Sequence, residues 1–340
     1  MPLRTKQNYI DSISSMQTNV WAYGEKVDDI YAHPCFKPAV DAIGMVYALS
    51  GSQGRNESDG LFTAHSPFTG DRVSRFLHIH QTQDDLKSRF QLSRNLVHRH
   101  GACIGARCVS TSVLNAVFTT TFDMDQSTGT DYHARFLKFL GHVQENDLAV
   151  AGAMMDVKGD RSLSPHEQVD PDLYLHIVEK RPDGIVVRGA KASISGAAIA
   201  EEIVVVPCTA LSAEGQDYAV SFAIPGDAPG ILHIAEAPAP NMRRLVGKAT
   251  GSAAHGISGK NWPTCTITAE PLSAAPSHPY TPEKKPLRVF LFPILCMSTS
   301  PSTRASRRFG RALTQPPTLP GGLFVPCRLP TIWPMKPLER

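Results

Sequence analysis

Apolar side chains recur at helical spacing through most of the first 150 residues. Thr5 is placed to cap a helix that runs to about Val20, and the apolar residues of this segment share one face: Tyr9, Ile10, Ile13 and Met16. The same period predicts further helices over residues 37–49, 84–100, 108–122 and 131–144. Residues 1–150 are therefore predicted to form a helical domain.

The period changes after residue 150. Segments rich in β-forming residues cover residues 174–179, 185–187, 203–207, 218–224 and 231–234, and the first two flank a strong turn signal, RPDG, at residues 181–184. Residues 151–245 are predicted to form a β-domain. A helical domain followed by a β-domain makes the predicted fold class α+β.

The last part of the chain, residues 246–340, has no sustained period of either kind. Residues 271–340 hold 14 of the 27 prolines, and ten Lys and Arg against two Asp and Glu give them a net charge of +8. Proline at this density disfavours helices and central strands. Three interpretations stay open for this segment: a disordered basic tail, an altered reading frame or retained intron, and a basic interaction arm.

Charge and cysteine usage narrow the class of protein. The whole chain carries +3, so residues 1–270 carry −5, which argues against nucleic acid as a partner. Seven scattered cysteines, no signal-peptide pattern and no apolar stretch long enough for a bilayer predict a cytoplasmic protein without a membrane partner. The sequence has no CxxC, P-loop, GxGxxG or HExxH motif. His78 and His80 alternate as on a strand, but no acidic or cysteine partner is near them in sequence.

The polar loop that begins after residue 153 is the first candidate for chemistry. Gly159 can let backbone amides converge on a ligand. Lys158 and Arg161 can offset the charge of a pyrophosphate, while Asp156 and Asp160 can orient them or accept hydrogen bonds from a flavin or a ribose. An ordinary polar loop carries the same residue types.

The second candidate is the end of the predicted hairpin. Arg188 and Lys191 lie on or after its second strand, and Ser193, Ser195 and Gly196 follow in a turn. Serine hydroxyls at this position can donate to the carbonyl and nitrogen atoms of a flavin ring. Serine also serves local backbone bonding in ordinary turns.

Four ordered blocks carry a resemblance to a known family: HQTQDDL at residues 80–86, AVFTTTFDMDQSTGTDYH at 116–133, QENDLAVAGAMMDVKGDR at 144–161 and DGIVVRGAKASISG at 183–196. They resemble the 4-hydroxybutyryl-CoA dehydratases and 4-hydroxyphenylacetate 3-hydroxylases, a flavoprotein family, and the dehydratases more closely. The resemblance runs from about Thr5 to about Ile234. It implies an acyl-CoA-dehydrogenase-like fold of N-terminal helices, a middle β-barrel and a C-terminal helical bundle that has no counterpart here.

The resemblance also implies FAD as the cofactor. The segments that match the family's flavin contacts comprise Met154, Met155, Asp156, Val157, Lys158, Gly159, Asp160, Arg161, Ser193, Ile194, Ser195 and Gly196. An acyl-CoA or a small phenolic acid is the implied substrate, and a homo-oligomer is implied for intact family members. The family's catalytic histidine belongs to the missing bundle, so no catalytic residue is predicted.

Cys103 and Cys108 lie where the resemblance places half of a [4Fe–4S] site. The dehydratases have the spacing C-x3-C, whereas CIGARC has one residue more, and on a helix this rotates the second thiolate away from the first. Two thiolates do not satisfy a four-ligand cluster, and nothing after residue 245 resembles the segment that carries the other ligands. A [4Fe–4S] cluster is therefore not expected.

Two functional hypotheses follow. The first is an FAD-dependent oxidoreductase-family enzyme, with either radical dehydratase or monooxygenase chemistry. The second is a truncated and inactive remnant of such an enzyme, with weak or no flavin binding.

Overall fold

The computed structural model describes residues 3–22, 24–51, 59–100, 106–157, 159–181, 184–209, 211–235, 264–269 and 290–291. All five helices predicted from the apolar period are confirmed, and one short helix joins them. The observed helices are α1 (Lys6–Ser15), α2 (Lys37–Gly51), α3 (Asp59–Phe62), α4 (Gln83–His100), α5 (Ala106–Thr128) and α6 (Tyr132–Glu145). None of these described helices is long and apolar enough to cross a membrane.

Helix α1 begins as its sequence predicts and ends earlier. The Asn8 amide donates to Thr5 Oγ1 (3.1 Å) while the Thr5 amide donates to Asn8 Oδ1 (3.0 Å), a reciprocal capping box. The backbone becomes extended at Met16, and the chain that follows forms a strand from Val20 onward. Tertiary pairing thus replaces the last turn of the predicted helix.

Strands form in each of the β-rich segments and in several places that the period does not mark. The described strands are β1 (Val20–Ala22), β2 (Glu25–Lys26), β3 (Thr63–His65), β4 (Arg72–Ser74), β5 (Val150–Ala153), β6 (His176–Arg181), β7 (Gly184–Ser195), β8 (Glu202–Val205), β9 (Phe222–Pro225), β10 (Ile231–Ala235), β11 (Thr264–Ala269) and β12 (Phe290–Leu291).

These strands form open sheets. One sheet has the order β2-β1-β10-β11-β7-β6, a second has the order β12-β9-β8-β5, and β3 pairs with β4. The six-stranded sheet ends at β2 on one side and β6 on the other, so the described strands do not close into the β-barrel that the resemblance implied. The observed fold is a mixed α/β fold with open sheets.

The six-stranded sheet takes strands from distant parts of the chain. β1 runs parallel to β10, with Trp21 opposite Ile234. β11, from the segment that was predicted to be irregular, lies between β10 and β7. Its sequence, TCTITA, is rich in β-branched residues, which favour a strand once two neighbours are available. The position of β11 in the sheet cannot be predicted from these six residues alone, because it depends on the neighbouring strands.

The four-stranded sheet separates two apolar cores. Ile203 and Val205 of β8 face the core formed with α1 and α2, whereas Val204 faces the core formed with α5 and α6. Because both faces are buried, β8 is apolar without alternation. This sheet fixes the ends of β5 and β8, and the candidate site starts where these strands end.

A buried network of charged and aromatic residues joins the helices to the start of the β-region. Arg107 donates to Asp147 Oδ1 (2.8 Å), and the Tyr47 hydroxyl donates to the Asp147 carbonyl (2.8 Å). Arg4 donates to Glu201 (2.7 Å), which also accepts from the backbone amide just before β5 (2.9 Å). We call these five residues the Arg107 network. The network joins the start of β5 to helices α2 and α5 and to the residues just before α1.

Candidate functional site

The first predicted segment leaves the four-stranded sheet at the end of β5. Met155 is 37% exposed, whereas Met154, Asp156 and Val157 are half-buried. The Ala192 amide of β7 donates to the Met155 carbonyl (2.9 Å), and a β-bridge pairs the next residue, Asp156, with β7 as well. The two predicted segments are therefore brought together at this point. Lys158 lies outside the described residues.

Lys191 is buried at the junction of the two segments. Its ammonium donates to the Val206 carbonyl (3.0 Å), to the Met154 carbonyl (3.3 Å) and to the Asp156 carboxylate. We call this arrangement the Lys191 clamp. Burial lowers the pKa of Lys191, and the neighbouring Asp156 carboxylate opposes that shift.

The sequence predicts Lys191 on or after the second strand of the hairpin but does not place it among the flavin contacts. A lysine in the apolar run VVRGAKASI is the signal that could have marked it. Such a residue must either snorkel to solvent or find buried acceptors, and the period alone does not decide between the two.

The second half of the loop is held by Gln168. Its Oε1 accepts from the Asp160 amide (3.0 Å), and its Nε2 donates to the Asp160 carbonyl (2.8 Å). A Cβ on Gly159 would lie 2.2 Å from Gln168 Oε1 and 2.3 Å from Leu173 Cδ2, so the glycine lets the ends of these two side chains pack directly against the backbone. Gln168, which the sequence analysis did not mark, thus sets the shape of the loop.

The charged side chains of this half-loop have different environments. The Asp160 carboxylate accepts from the Ser162 hydroxyl (2.6 Å) and amide (2.9 Å), and these hydrogen bonds lower the pKa of Asp160. Arg161 is exposed. Asp160 is therefore engaged in a local turn, and Arg161 remains accessible to an anionic group.

The second predicted segment, Ser193 to Gly196, ends β7. The register between β7 and β11 shifts within this segment. Lys191 pairs with Ile267 and Ile194 pairs with Cys265, so Ala192 and Ser193 together oppose a single residue of β11. This is the geometry of a β-bulge, a device that redirects a side chain. Ser193 has φ of 57° and is exposed.

The other residues of that segment are less accessible. Ile194 is buried, and Ser195 is half-buried and paired with Thr264 of β11. Gly196 has φ of 72° at the turn into a short 3-10 helix, a left-handed conformation that favours glycine. Ser193 is accordingly the residue of this segment best placed to meet a ligand.

Of the predicted cysteine pair, only Cys108 lies within the described residues. Cys103 lies outside the described residues. Cys108 is half-buried on α5 and packs against the core formed by α2, α3 and α4, whereas Val113 of α5 faces Gly152 of β5. The described residues contain no group of three or more His, Cys, Asp or Glu side chains that could hold a metal ion.

The alternating histidines lie away from the two segments, beside α4 and α5. Both are buried, and their ring centroids are 6.3 Å apart. His78 Nε2 lies 3.2 Å from Asp85 Oδ1, so the sequence analysis was wrong to find no acidic partner for this pair. The His80 amide donates to the Asn115 side chain (2.8 Å). Asp85 lies in the first turn of α4, only five residues after His80 in the sequence.

The family described as 4-hydroxyphenylacetate 3-hydroxylase, N terminal, matches residues 5–259. The chain belongs to this family. A curated relative, the 4-hydroxybutyryl-CoA dehydratase/vinylacetyl-CoA-Δ-isomerase of Clostridium aminobutyricum, is 44% identical over 232 residues, which are 68% of this chain and 46% of the relative.

More distant members of the 4-hydroxyphenylacetate 3-hydroxylase family also match. The 4-hydroxyphenylacetate 3-monooxygenase oxygenase component of Geobacillus sp. (strain PA-9) is 28% identical over 243 residues, 69% of this chain and 47% of the relative. The chain spans about half the length of the curated relatives it matches. These named relatives are enzymes.

Solved structures of the family share the fold. An oxygen-tolerant archaeal 4-hydroxybutyryl-CoA dehydratase from N. maritimus superposes with a TM-score of 0.76 at 31% identity, covering 91% of this chain and 57% of its own. A 4-hydroxyphenylacetate 3-monooxygenase oxygenase component complexed with FAD and 4-hydroxyphenylacetate superposes with a TM-score of 0.65, covering 91% and 60%. At 22% identity, the second likeness establishes the fold alone.

Proposed function

We propose that this chain binds FAD between residues 154–161 and 193–196 and belongs to a flavin-dependent oxidoreductase-family enzyme. The observation that carries the proposal is the contact between the two segments: Met155 and Asp156 lie against Lys191 and Ala192, one residue from the exposed Ser193.

The residues at this junction fit a flavin. An isoalloxazine ring has apolar faces and a polar edge, and Met155 offers an exposed apolar side chain while Ser193 offers an exposed hydroxyl. Arg161, on the same loop as Met155, is a cation for the pyrophosphate. Bound FAD would supply electron transfer; the chain's own residues would hold the ring and the pyrophosphate and orient them.

The substrate that we propose is an acyl-CoA, with a small phenolic acid as the second candidate. The 44% identity to the dehydratase, against 28% to the monooxygenase component, favours the acyl-CoA. We expect no [4Fe–4S] cluster in this chain, since CIGARC has one residue more than the C-x3-C spacing of the dehydratases.

The organisation that we propose for the chain follows its relatives. Residues 1–150 would be the helical domain and residues 151–245 the flavin-contacting β-domain of an acyl-CoA-dehydrogenase-like layout. Support comes from the likeness to the archaeal dehydratase, which extends over 91% of this chain. A homo-oligomer is expected only for intact members of the family.

The test is a titration of the purified 340-residue chain with FAD, followed by the visible flavin spectrum. We expect one FAD per chain, with a flavin band that is shifted and better resolved than that of free FAD. The matched control is Arg188→Met, which removes a half-exposed cation of β7 whose partner is Asp172, away from the junction.

No binding up to about millimolar FAD, equivalent to a binding free energy weaker than roughly 4 kcal/mol, would overturn the proposal. The chain would then be a family member without the cofactor of its relatives.

A further inference from the structure

We propose that Lys191 is the positioning residue of the flavin site. By joining the ends of β5 and β8 to β7, it holds residues 154–157 and the β7 bulge in the arrangement that receives the cofactor. This inference rests on the proposed FAD site, and it assigns to Lys191 a role exerted through the backbone.

Lys191 uses every hydrogen-bond donor of its ammonium group. A lysine has three N–H donors and no acceptor. Lys191 directs them to the carbonyls of Met154 and Val206 and to the Asp156 carboxylate. With its side chain 4% exposed, Lys191 has no donor left for a ligand. It therefore acts by fixing its neighbours.

The two carbonyls that Lys191 binds lie directly after the ends of β5 and β8. β5 and β8 run parallel, and their ladder ends with the Val206 amide donating to the Ala153 carbonyl (3.1 Å). Beyond that point no backbone amide of the described residues donates to the carbonyls of Met154 and Val206, and a buried carbonyl needs a donor. Lys191 supplies one donor to each strand end. The two strand ends are thereby held at a fixed separation beneath the loop.

The Lys191 clamp adjoins the β7 bulge. Ala192, the next residue, donates to the Met155 carbonyl (2.9 Å), a hydrogen bond that belongs to the antiparallel bridge between Asp156 and Lys191. The Lys191 ammonium holds the same two segments together through the Asp156 carboxylate and the Met154 carbonyl. Ser193, the residue after Ala192, has a left-handed conformation and an exposed side chain. One side chain thus sets the position of both flavin segments.

The test compares three forms of the full chain: wild type, the double variant Lys191→Met with Asp156→Asn, and Arg188→Met. Lys191→Met alone would leave a mostly buried carboxylate unpaired and can prevent folding, so the double variant removes both charges together. Arg188→Met is the matched control, because it deletes a cation three residues earlier on the same strand. FAD affinity, the flavin band shape and hydrogen exchange of the Ala192 amide are measured for each.

For the double variant we expect FAD binding to weaken about tenfold or more, with a flavin band that returns towards that of free FAD. The Ala192 amide should exchange about tenfold faster, while the Ala223 amide of β9 keeps its rate. Arg188→Met should behave as wild type in all three measurements. Retention of wild-type affinity and band shape by the folded double variant would overturn the inference.

The exchange measurement separates this inference from the FAD proposal, because it needs no cofactor. If wild type binds no FAD, the proposed function fails and the flavin role of Lys191 fails with it, whatever the exchange rates are. If wild type binds FAD and the Ala192 amide is unaffected in the double variant, the clamp is wrong while the flavin site stands.

Discussion

Two non-glycine residues of the described chain have a left-handed backbone conformation. One of them is buried and the other is exposed. Asp147, with φ of 46°, is 2% exposed and lies at the centre of the Arg107 network. Ser193, with φ of 57°, is exposed at the β7 bulge. A left-handed conformation costs a residue with a Cβ roughly 1–2 kcal/mol, so each site needs a reason for it.

At Asp147 the reason is structural. Arg107 binds its carboxylate and Tyr47 binds its carbonyl, so the conformation is imposed by contacts that also join α2 and α5 to the start of β5. At Ser193 the conformation is imposed from below, through Lys191 and Ala192, while the side chain itself faces solvent. A strained backbone conformation at an exposed residue, held in place by buried neighbours, is typical of a binding site.

The largest effect in this comparison is expected from breaking the Arg107 network. Arg107→Met would leave the buried Asp147 carboxylate without its partner and should lower the free energy of unfolding by about 3–5 kcal/mol. Urea denaturation followed by circular dichroism measures this change.

The control for that variant is an ion pair of the same type at the surface. Arg135 and Asp131 pair on α6 with 45% and 66% of their side chains exposed, so Arg135→Met should cost at most about 1 kcal/mol. Similar losses for Arg107→Met and Arg135→Met would show that burial of the Arg107 network contributes nothing special to stability.

An effect of intermediate size on the free energy of unfolding is expected from His80. This buried side chain is neutral at neutral pH, whereas Asp147 and Lys191 are buried as charged groups. Burial lowers the pKa of His80 to about 4, with His78 and Arg89 acting in the same direction and Asp85 opposing. The unfolded chain takes up this proton near pH 6.5, so between pH 6.5 and 4 the unfolded state binds more protons. The free energy of unfolding should therefore fall as the pH falls through this range, by about 2 kcal/mol at pH 5 from His80 alone.

Other buried histidines titrate as well, so the measurement is a difference. The loss of unfolding free energy between pH 7 and pH 5 is determined for wild type and for His80→Gln. A smaller loss in the variant supports a neutral buried imidazole. Equal losses would mean that His80 is protonated in the folded state as readily as in the unfolded chain.

The sequence predicted the helices well because each of them carries its own signal. The apolar face of α1 and its Thr5 cap are both local, and so is the period of α6. It could not predict that β11 enters between β10 and β7, or that β1 runs parallel to β10, because these pairings are decided by partners 30 to 210 residues away. The barrel expectation failed for the same reason.

The candidate site shows the same division. The loop and hairpin segments were found by their sequence, but the residues that hold them were not. Gln168 has no distinguishing pattern, and its role exists only because the chain folds it back onto Gly159 and Asp160. Lys191 was visible as an odd lysine in an apolar strand, yet its three acceptors come from two segments that are about 50 residues apart in sequence. Short-range patterns locate a loop, and long-range contacts determine its shape.

The smallest effect on stability, and the most informative about function, is expected at Ser193. Ser193→Ala keeps the Cβ and hence the backbone cost, and it removes only an exposed hydroxyl, so the free energy of unfolding should change by no more than about 0.5 kcal/mol. If the hydroxyl bonds to the flavin edge, FAD affinity should nevertheless fall by about fivefold, the worth of one hydrogen bond near 1 kcal/mol. Ser193→Gly completes the comparison, because glycine adopts the left-handed conformation without strain. Equal weakening in the two variants identifies the hydroxyl as the contact. Weakening in Ser193→Gly alone would point to the rigid backbone of the bulge, and wild-type affinity in both would remove Ser193 from the site while leaving Asp147 as the residue whose strain is understood.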